Sequence, residues 1–539
     1  MENAMNENTV YFSSFLTEDH TASFDAAMAY LREHPGTTLH VEPGTYTITR
    51  QLARETQRAL MEGVLTYDPE PVIFSPDYPY AVGISFAGQR DTTVMAYGVT
   101  LLIDGIMEPV SVRDCENVTV CGFTIDHKRK PYSRAVISDV GELDEDGCRK
   151  AKFEFDPDCP IGEMAPYKLR AVYFDRDRYC SVKTYVEERR IIDRYHWEVL
   201  LACAKDVHDG MEYYTAHTEH FRPALLIENA KNITIRDFTI HNQPGMGVVG
   251  NRSENVAFDH LAVVPVAGHH LSTNTDATHF TSMKGYLRLE NCVFESQGDD
   301  FINVHAYYHD IIERIADDEC CMQEKTPDGT HAQSLDYPDV GDTLELTDMN
   351  TMRLIDTFRV VECSPERDEW MCRVKLDHAL PECTDGLVLA DVTRLPSLEV
   401  VNCTSRTHFA RGIMLKTRNV RIENNSFYGI DASAIFVAPE AEWYEGVSPA
   451  NVVIRRNRIV KCGELGEVKG AIVVLADTKN PDGQCISNVV IEDNIIDCPN
   501  SEYGIYVRNT DGVKIARNKI VCEGKAVEVT RCTNVESDM

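Results

Sequence analysis

The chain has 539 residues, 43% of them hydrophobic and 26% charged, with 53 Lys plus Arg against 86 Asp plus Glu and a formal net charge of −33. A single compact core rarely grows to that length, whereas a solenoid does because it extends along an axis. So acidic a surface repels phosphate backbones and anionic lipid, no apolar run reaches the roughly 18 residues of a membrane helix, and the expectation is no nucleic-acid partner and no membrane.

The first residues, Met1 to Asn8, are polar and acidic, with neither a basic start nor an apolar stretch, so no signal peptide is expected and the localisation expected is cytoplasmic. Thr21–Leu31 reads as a short amphipathic helix and Leu39–Ile48 as a strand, together a cap for the first layer of a solenoid. From Glu116 onward one pattern recurs: Asn-(Val/Ile)-x-(Ile/Val/Phe), then Asn or Asp at a corner, then a second short alternating run. Copies begin at Asn117, Asn232, Asn255, Asn419, Asn451 and Asn488, with a related one at Gly512, successive copies within one uninterrupted run lying about 22–37 residues apart. Alternation of apolar and polar residues marks strands with one buried face, and Asn suits corners because it tolerates left-handed backbone. With no helical spacing in these units, the fold class expected is all-β: a right-handed parallel β-helix with a short N-terminal cap helix.

Two stretches break the period and carry other strand-like runs, such as Ala171–Phe174 and Trp197–Leu201 in the first and Asp342–Leu346, Phe358–Val361 and Met371–Leu376 in the second. They read as two inserted small β-barrel domains. The expected division is 1–126 for the cap and first coils, 127–220 for one insertion, 221–307 for further coils, 308–394 for the second insertion and 395–539 for the last coils. Insertions of this kind commonly lie on the functional face. The 18 cysteines are scattered, include an adjacent pair at Cys320 and Cys321, and form no CxxC spacing, so most read as reduced, buried small residues.

The segment richest in chemistry runs through Asn274-Thr275-Asp276 and on to Gly298-Asp299-Asp300, followed by Asn303 and His305. Asp276 and Asp300 are 24 residues apart, about one coil, and residues one coil apart stack at the inter-strand spacing of about 4.8 Å. Crowded carboxylates repel, which raises the pKa of one of them, and glycoside hydrolysis needs one carboxyl protonated and another ionised. Gly298 is expected to permit a bulge that presents both following aspartates outward, and alternation places Asn303 and His305 on the outer face. Calcium is the competing use of clustered aspartates, but no Lys or Arg base lies in this segment to serve a calcium-dependent lyase.

The Asn274-Thr275-Asp276 and Gly298-Asp299-Asp300 pair on a β-helix resembles the polygalacturonase type of hydrolase. With Thr275–His279, Gln297–His305, Arg411–Met414, Asn424–Phe427 and Glu442–Gly446 it is most similar to glycoside hydrolase family 110, the inverting exo-α-galactosidases acting on α-1,3-linked galactose. The resemblance covers roughly residues 15–520. It implies Asp276, Asp299 and Asp300 as the catalytic carboxylates, with no metal and no organic cofactor, on a galactose-terminated oligosaccharide. An inverting pair stands roughly 6.5–9.5 Å apart, with water between. The uronate-holding motifs of polygalacturonases are not intact here, since Arg411-Gly412 is followed by Lys416 only later, which favours a neutral sugar.

Around these, Asn274, Asn303, His305, Arg411, Trp443 and Glu445 are the candidate sugar-binding residues: Trp443 to stack on the apolar face of galactose, Arg411 to bond hydroxyls or orient a carboxylate, His305 to bond a hydroxyl. Each has a structural alternative: packing for Trp443, an ion pair for Arg411, a satisfied strand histidine for His305. His269, His270 and His279 read as structural. The other functions that fit are a polygalacturonase-like glycosidase and a non-catalytic glycan-binding solenoid. Flat solenoid flanks allow association as a homodimer.

Overall fold

A computed structural model describes residues 8–62, 64–65, 78–159, 161, 171–175, 180–202, 204–218, 221–323, 336–366, 370–480 and 483–538. Residues 1–7, on which most of the N-terminal reading rests, lie outside the described residues.

Each repeat supplies three strands, and each strand pairs in parallel with its counterpart on the next coil, giving one 12-stranded sheet and a second, 22-stranded one. The register stacks like on like: Val118, Ile233, Val256 and Leu287 form one inward column, continued by Leu398, Val420, Val452 and Val489. These side chains are 0–3% exposed, so the core is one continuous apolar ribbon along the axis. Each is buried by the coils above and below it, an arrangement no single repeat achieves alone. The molecule is a parallel β-helix.

The Asn of each Asn-Val copy sits in left-handed backbone, as at Asn117, Asn232, Asn255, Asn419, Asn451 and Asn488. Their amides bond coil to coil: Asn232 donates to Asn117, Asn255 to Asn232, Asn451 to Asn419 and Asn488 to Asn451. At the second corner the left-handed residue (Asn424, Arg456, Asp493, Arg517) is followed by an Asn, buried at Asn425, Asn457 and Asn494 and half-buried at Asn518, and these four make a second, interior ladder.

The helix His20–Glu33 caps the first coil with Phe24, Met28 and Leu31, spaced to share one face, and its N-terminus is capped by the Asp19 carboxylate, which accepts from the Ala22 amide at 3.0 Å. The single strand expected over Leu39–Ile48 is two, Thr38–His40 and Gly44–Thr49. Pro43 lies between them, and a proline has no amide to give a ladder. A further helix, Gln51–Met61, has no counterpart in the sequence reading.

Between the coil strands Glu116–His127 and Leu225–Glu228, six antiparallel strands from Tyr132–Ser138 to Glu212–Ala216 close on themselves around Phe153, Trp197 and Tyr213. Between Ile302–Tyr307 and Ser397–Val401, another six, from His309–Ala316 to Leu387–Asp391, close around Met322, Leu344, Phe358 and Val374. Each closed sheet has an apolar core of its own and no free strand edge.

Candidate active site

Asp276, Asp300 and Arg411 lead into the 12-stranded sheet on three successive coils: the Ala277 amide bonds the Asp300 carbonyl, and the Phe301 amide the Arg411 carbonyl. Asp300 and Arg411 are 111 residues apart in sequence because the second barrel is looped out of the coil that joins them. One carboxylate oxygen from each of Asp276, Asp299 and Asp300 lies within 4.8 Å of the other two, and the Asp300 amide donates to Asp276 Oδ1 at 3.2 Å. Asp276 is 6% and Asp300 2% exposed, whereas Asp299 is half-buried.

Gly298 serves this convergence by close approach instead of by a bulge. A Cβ there would stand 2.1 Å from the Asn274 carbonyl oxygen, so only glycine lets the two loops pack, and the left-handed residue of the turn is Ser296.

Arg411 grips Asp300 by three bonds: its amide to Oδ1 at 2.7 Å, Nε to Oδ1 at 3.1 Å and Nη2 to Oδ2 at 2.9 Å. Burial nevertheless dominates at Asp300 and, with Asp299 and Asp276 beside it, outweighs Arg411 and pushes the carboxyl up to about 7. Asp300 is thus poised to keep a proton near neutral pH beside two other carboxylates. The cationic partner that the segment itself lacks is supplied by the following coil.

The strand Ile302–Tyr307 turns Ile302 and Val304 inward and Asn303 and His305 outward. Asn303 donates to Glu445 at 3.1 Å and accepts from Lys416 Nζ at 3.1 Å. Lys416, fully buried, also bonds Glu440 at 2.7 Å and Glu445. Burial alone would neutralise this lysine, but Glu440 and Glu445 hold its pKa above the ordinary value. Burial likewise opposes charge on Glu445, yet His305, Lys416 and His279 keep it well below the usual carboxylate range. Glu440 and Glu445 face each other as an antiparallel bridge, and Trp443, 46% exposed, stands in the turn between them.

Asn274 is in another role: its amide donates to the Thr218 carbonyl at 2.6 Å, bracing the chain where it returns from the first barrel. His269 and His270 bond Tyr132 and Glu212 of that barrel. His279 is not such a bystander: its Nδ1 meets Asp276 Oδ2 at 2.7 Å and its Nε2 meets His305 Nε2 at 2.8 Å. His279, Lys416 and Glu440 are therefore the site residues that the sequence reading missed. Alternation was the available signal, because Phe280, Ile413 and Leu415 point inward and their neighbours His279 and Lys416 must point outward.

Among the described residues, two groups offer three ligand atoms within 4.8 Å: the aspartate trio and His279, His305 and Glu445. In the second, the two Nε2 atoms stand at hydrogen-bond distance. Ligand nitrogens on a tetrahedral zinc lie about 3.3 Å apart, wider than the 2.8 Å between these Nε2 atoms, and the Lys416 ammonium already neutralises Glu445.

A helix of stacked coils carrying an outward cluster of three carboxylates, a gripping arginine and a buried lysine with its two glutamates defines a class, the β-helix with a carboxylate-based polar site. The family described as Glycosyl hydrolases family 28 matches residues 213–321, the stretch that contains all three aspartates. The chain is a homologue of curated proteins named alpha-1,3-galactosidase A: that of Bacteroides fragilis is 25% identical over 83% of this chain and 76% of its own length. That of Akkermansia muciniphila is 28% identical over 60% of this chain and 54% of its own length. Among solved structures, the mannuronan C-5 epimerase A-module of Azotobacter vinelandii aligns over 98% of this chain and 100% of its own, with 13% identity and a TM-score of 0.43. The exopolygalacturonase of Thermotoga maritima aligns over 99% and 92%, with 11% identity and a TM-score of 0.42.

Proposed function

We propose that this chain is a glycoside hydrolase, an exo-acting α-galactosidase that releases terminal α-1,3-linked galactose from oligosaccharides with inversion. The observation that carries the reading is the meeting of Asp276, Asp299 and Asp300, where burial pushes the Asp300 carboxyl up to about 7, which suits one carboxyl to donate to the leaving oxygen while another acts as base. Galactose as the sugar rests on the homologues' name, and it agrees with the charge around the cluster. Arg411 and Lys416 are each committed to carboxylates, Asp300 and Glu440 for one, Glu440 and Glu445 for the other, so neither offers a free cation to a uronate. Low exposure of Asp276, Asp300 and Glu445 supports action at a chain end, in a recess instead of an open groove.

Hydrolysis of an aryl α-galactoside tests the main claim: Asp300→Asn should lower kcat by at least about 1,000-fold without unfolding the chain. A variant within tenfold of the native rate would remove the carboxylates from the chemistry. Proton NMR of the first-formed sugar decides the stereochemistry, β-galactose for inversion and α-galactose for retention.

A further inference from the structure

The hydrogen bonds at His279 have a direction. The Ala306 carbonyl can only accept, so His305 Nδ1, 2.9 Å from it, carries a hydrogen. At 2.7 Å from a carboxylate oxygen, His279 Nδ1 carries one too. The two Nε2 atoms face each other at 2.8 Å, a distance that requires one hydrogen between them. Three hydrogens on four ring nitrogens give the pair one positive charge.

We infer that His279 is a positioning residue, an imidazolium clamped between Asp276 and His305 that fixes the Asp276 carboxylate against the Asp300 amide and sets the charge of the acid–base cluster. This rests on the hydrolase reading above for its consequence, but not for its proton count. The charge belongs on His279 and not on its partner: burial drives His305 down to about 3, while at His279 burial is overcome by the bond to Asp276 and by Glu445. The charged and titratable groups facing His279 are Asp276 at the start of its own coil strand, His305 on the next coil, Lys416 on the coil after that and Glu445 on the hairpin. Its register neighbours on either side, Val249 and Asn303, carry no charge. Asp276 spends Oδ2 on this imidazolium and Oδ1 on the Asp300 amide, so the two contacts leave the carboxylate one orientation.

Imidazole nitrogen NMR of the full chain labelled with 15N-histidine tests the proton count without substrate. At pH 8 the native chain should show a doubly protonated histidine signal that is lost in His279→Gln and kept in His378→Gln, the other histidine that carboxylates hold above its ordinary pKa. Its absence from the native chain overturns the inference. In kinetics, His279→Gln should cut kcat by about 10- to 100-fold with KM changed less than threefold, and should move the acid limb of the kcat/KM profile by at least one pH unit. A profile that superimposes on the native one overturns the positioning role, even if the overall rate falls. Should the native chain hydrolyse no α-galactoside, the functional reading falls, and the doubly protonated signal still decides the charge on His279.

Discussion

At the level of single residues, Arg411 does two opposed things. It holds Asp300 in place through both carboxylate oxygens, and its charge draws down a pKa that burial and two neighbouring aspartates push up to about 7. The sign of its removal follows. In Arg411→Met Asp300 keeps its proton to higher pH, so the alkaline limb of kcat/KM should move to higher pH by at least one unit. Loss of the grip should at the same time reduce kcat/KM by about 100-fold. A pH–rate profile of the variant checks both; a limb moved to lower pH would contradict the electrostatics. Residue spacing made the Asp276–Asp300 contact legible, since 24 residues is one lap of the helix. Nothing in the spacing pointed to Arg411 meeting Asp300, because a separation of 111 residues hides a single lap behind a barrel.

At the level of elements, the two asparagine ladders differ in consequence. Asn457 is buried, receives two bonds from Asn425 and gives two onward, to the Asn494 side chain and the Ile422 carbonyl, while its backbone amide also bonds Asn494. Asn457→Ala strands several buried polar groups and should cost about 3 kcal/mol or more. Asn232, on the exposed ladder, needs mainly its left-handed backbone, at φ 55°. Asn232→Gly keeps that conformation and should cost under about 1 kcal/mol. Urea-unfolding midpoints of the two variants check the difference, and equal shifts would mean that burial does not set the value of a ladder. The interior ladder is confined to the last coils. In the coils that carry the aspartates its place is taken by apolar residues and thiols, Phe238, Leu261, Cys292 and Cys403, each again following a left-handed residue.

At the level of the whole molecule, a stack of coils with contacts only to neighbours loses order from its ends. The first coil is covered by the helix His20–Glu33 and its Phe24, Met28 and Leu31. On the last coil Val527 and Val529 are only half-buried, and every residue of the strand Thr533–Ser537 is exposed. Hydrogen exchange followed by mass spectrometry should therefore show amides of Thr533–Ser537 exchanging at least about 100-fold faster than those of Ile302–Tyr307. Uniform protection along the axis would mean that the coils unfold as one unit. The same arrangement makes the middle of the stack the place for a site, because its residues are held by coils on both sides and by a barrel inserted before and after them.

What the sequence determined by itself is whatever depends on neighbours in the chain or on a fixed lap. That covers strands with one buried face, corners of Asn, a period, a cap, and the approach of Asp276 to Asp299 and Asp300. Only the tertiary structure decided which distant residues complete the cluster. Lys416, Glu440 and Glu445 come together because one coil and the hairpin after it fold over the sheet, and His279, three residues from Asp276, meets His305 only because the next coil stacks on its own. The physical reason is that apolar periodicity is written locally, one residue in two along each strand, whereas the pairing of buried charges depends on which coils stack and on how much chain the barrels remove from the path between them.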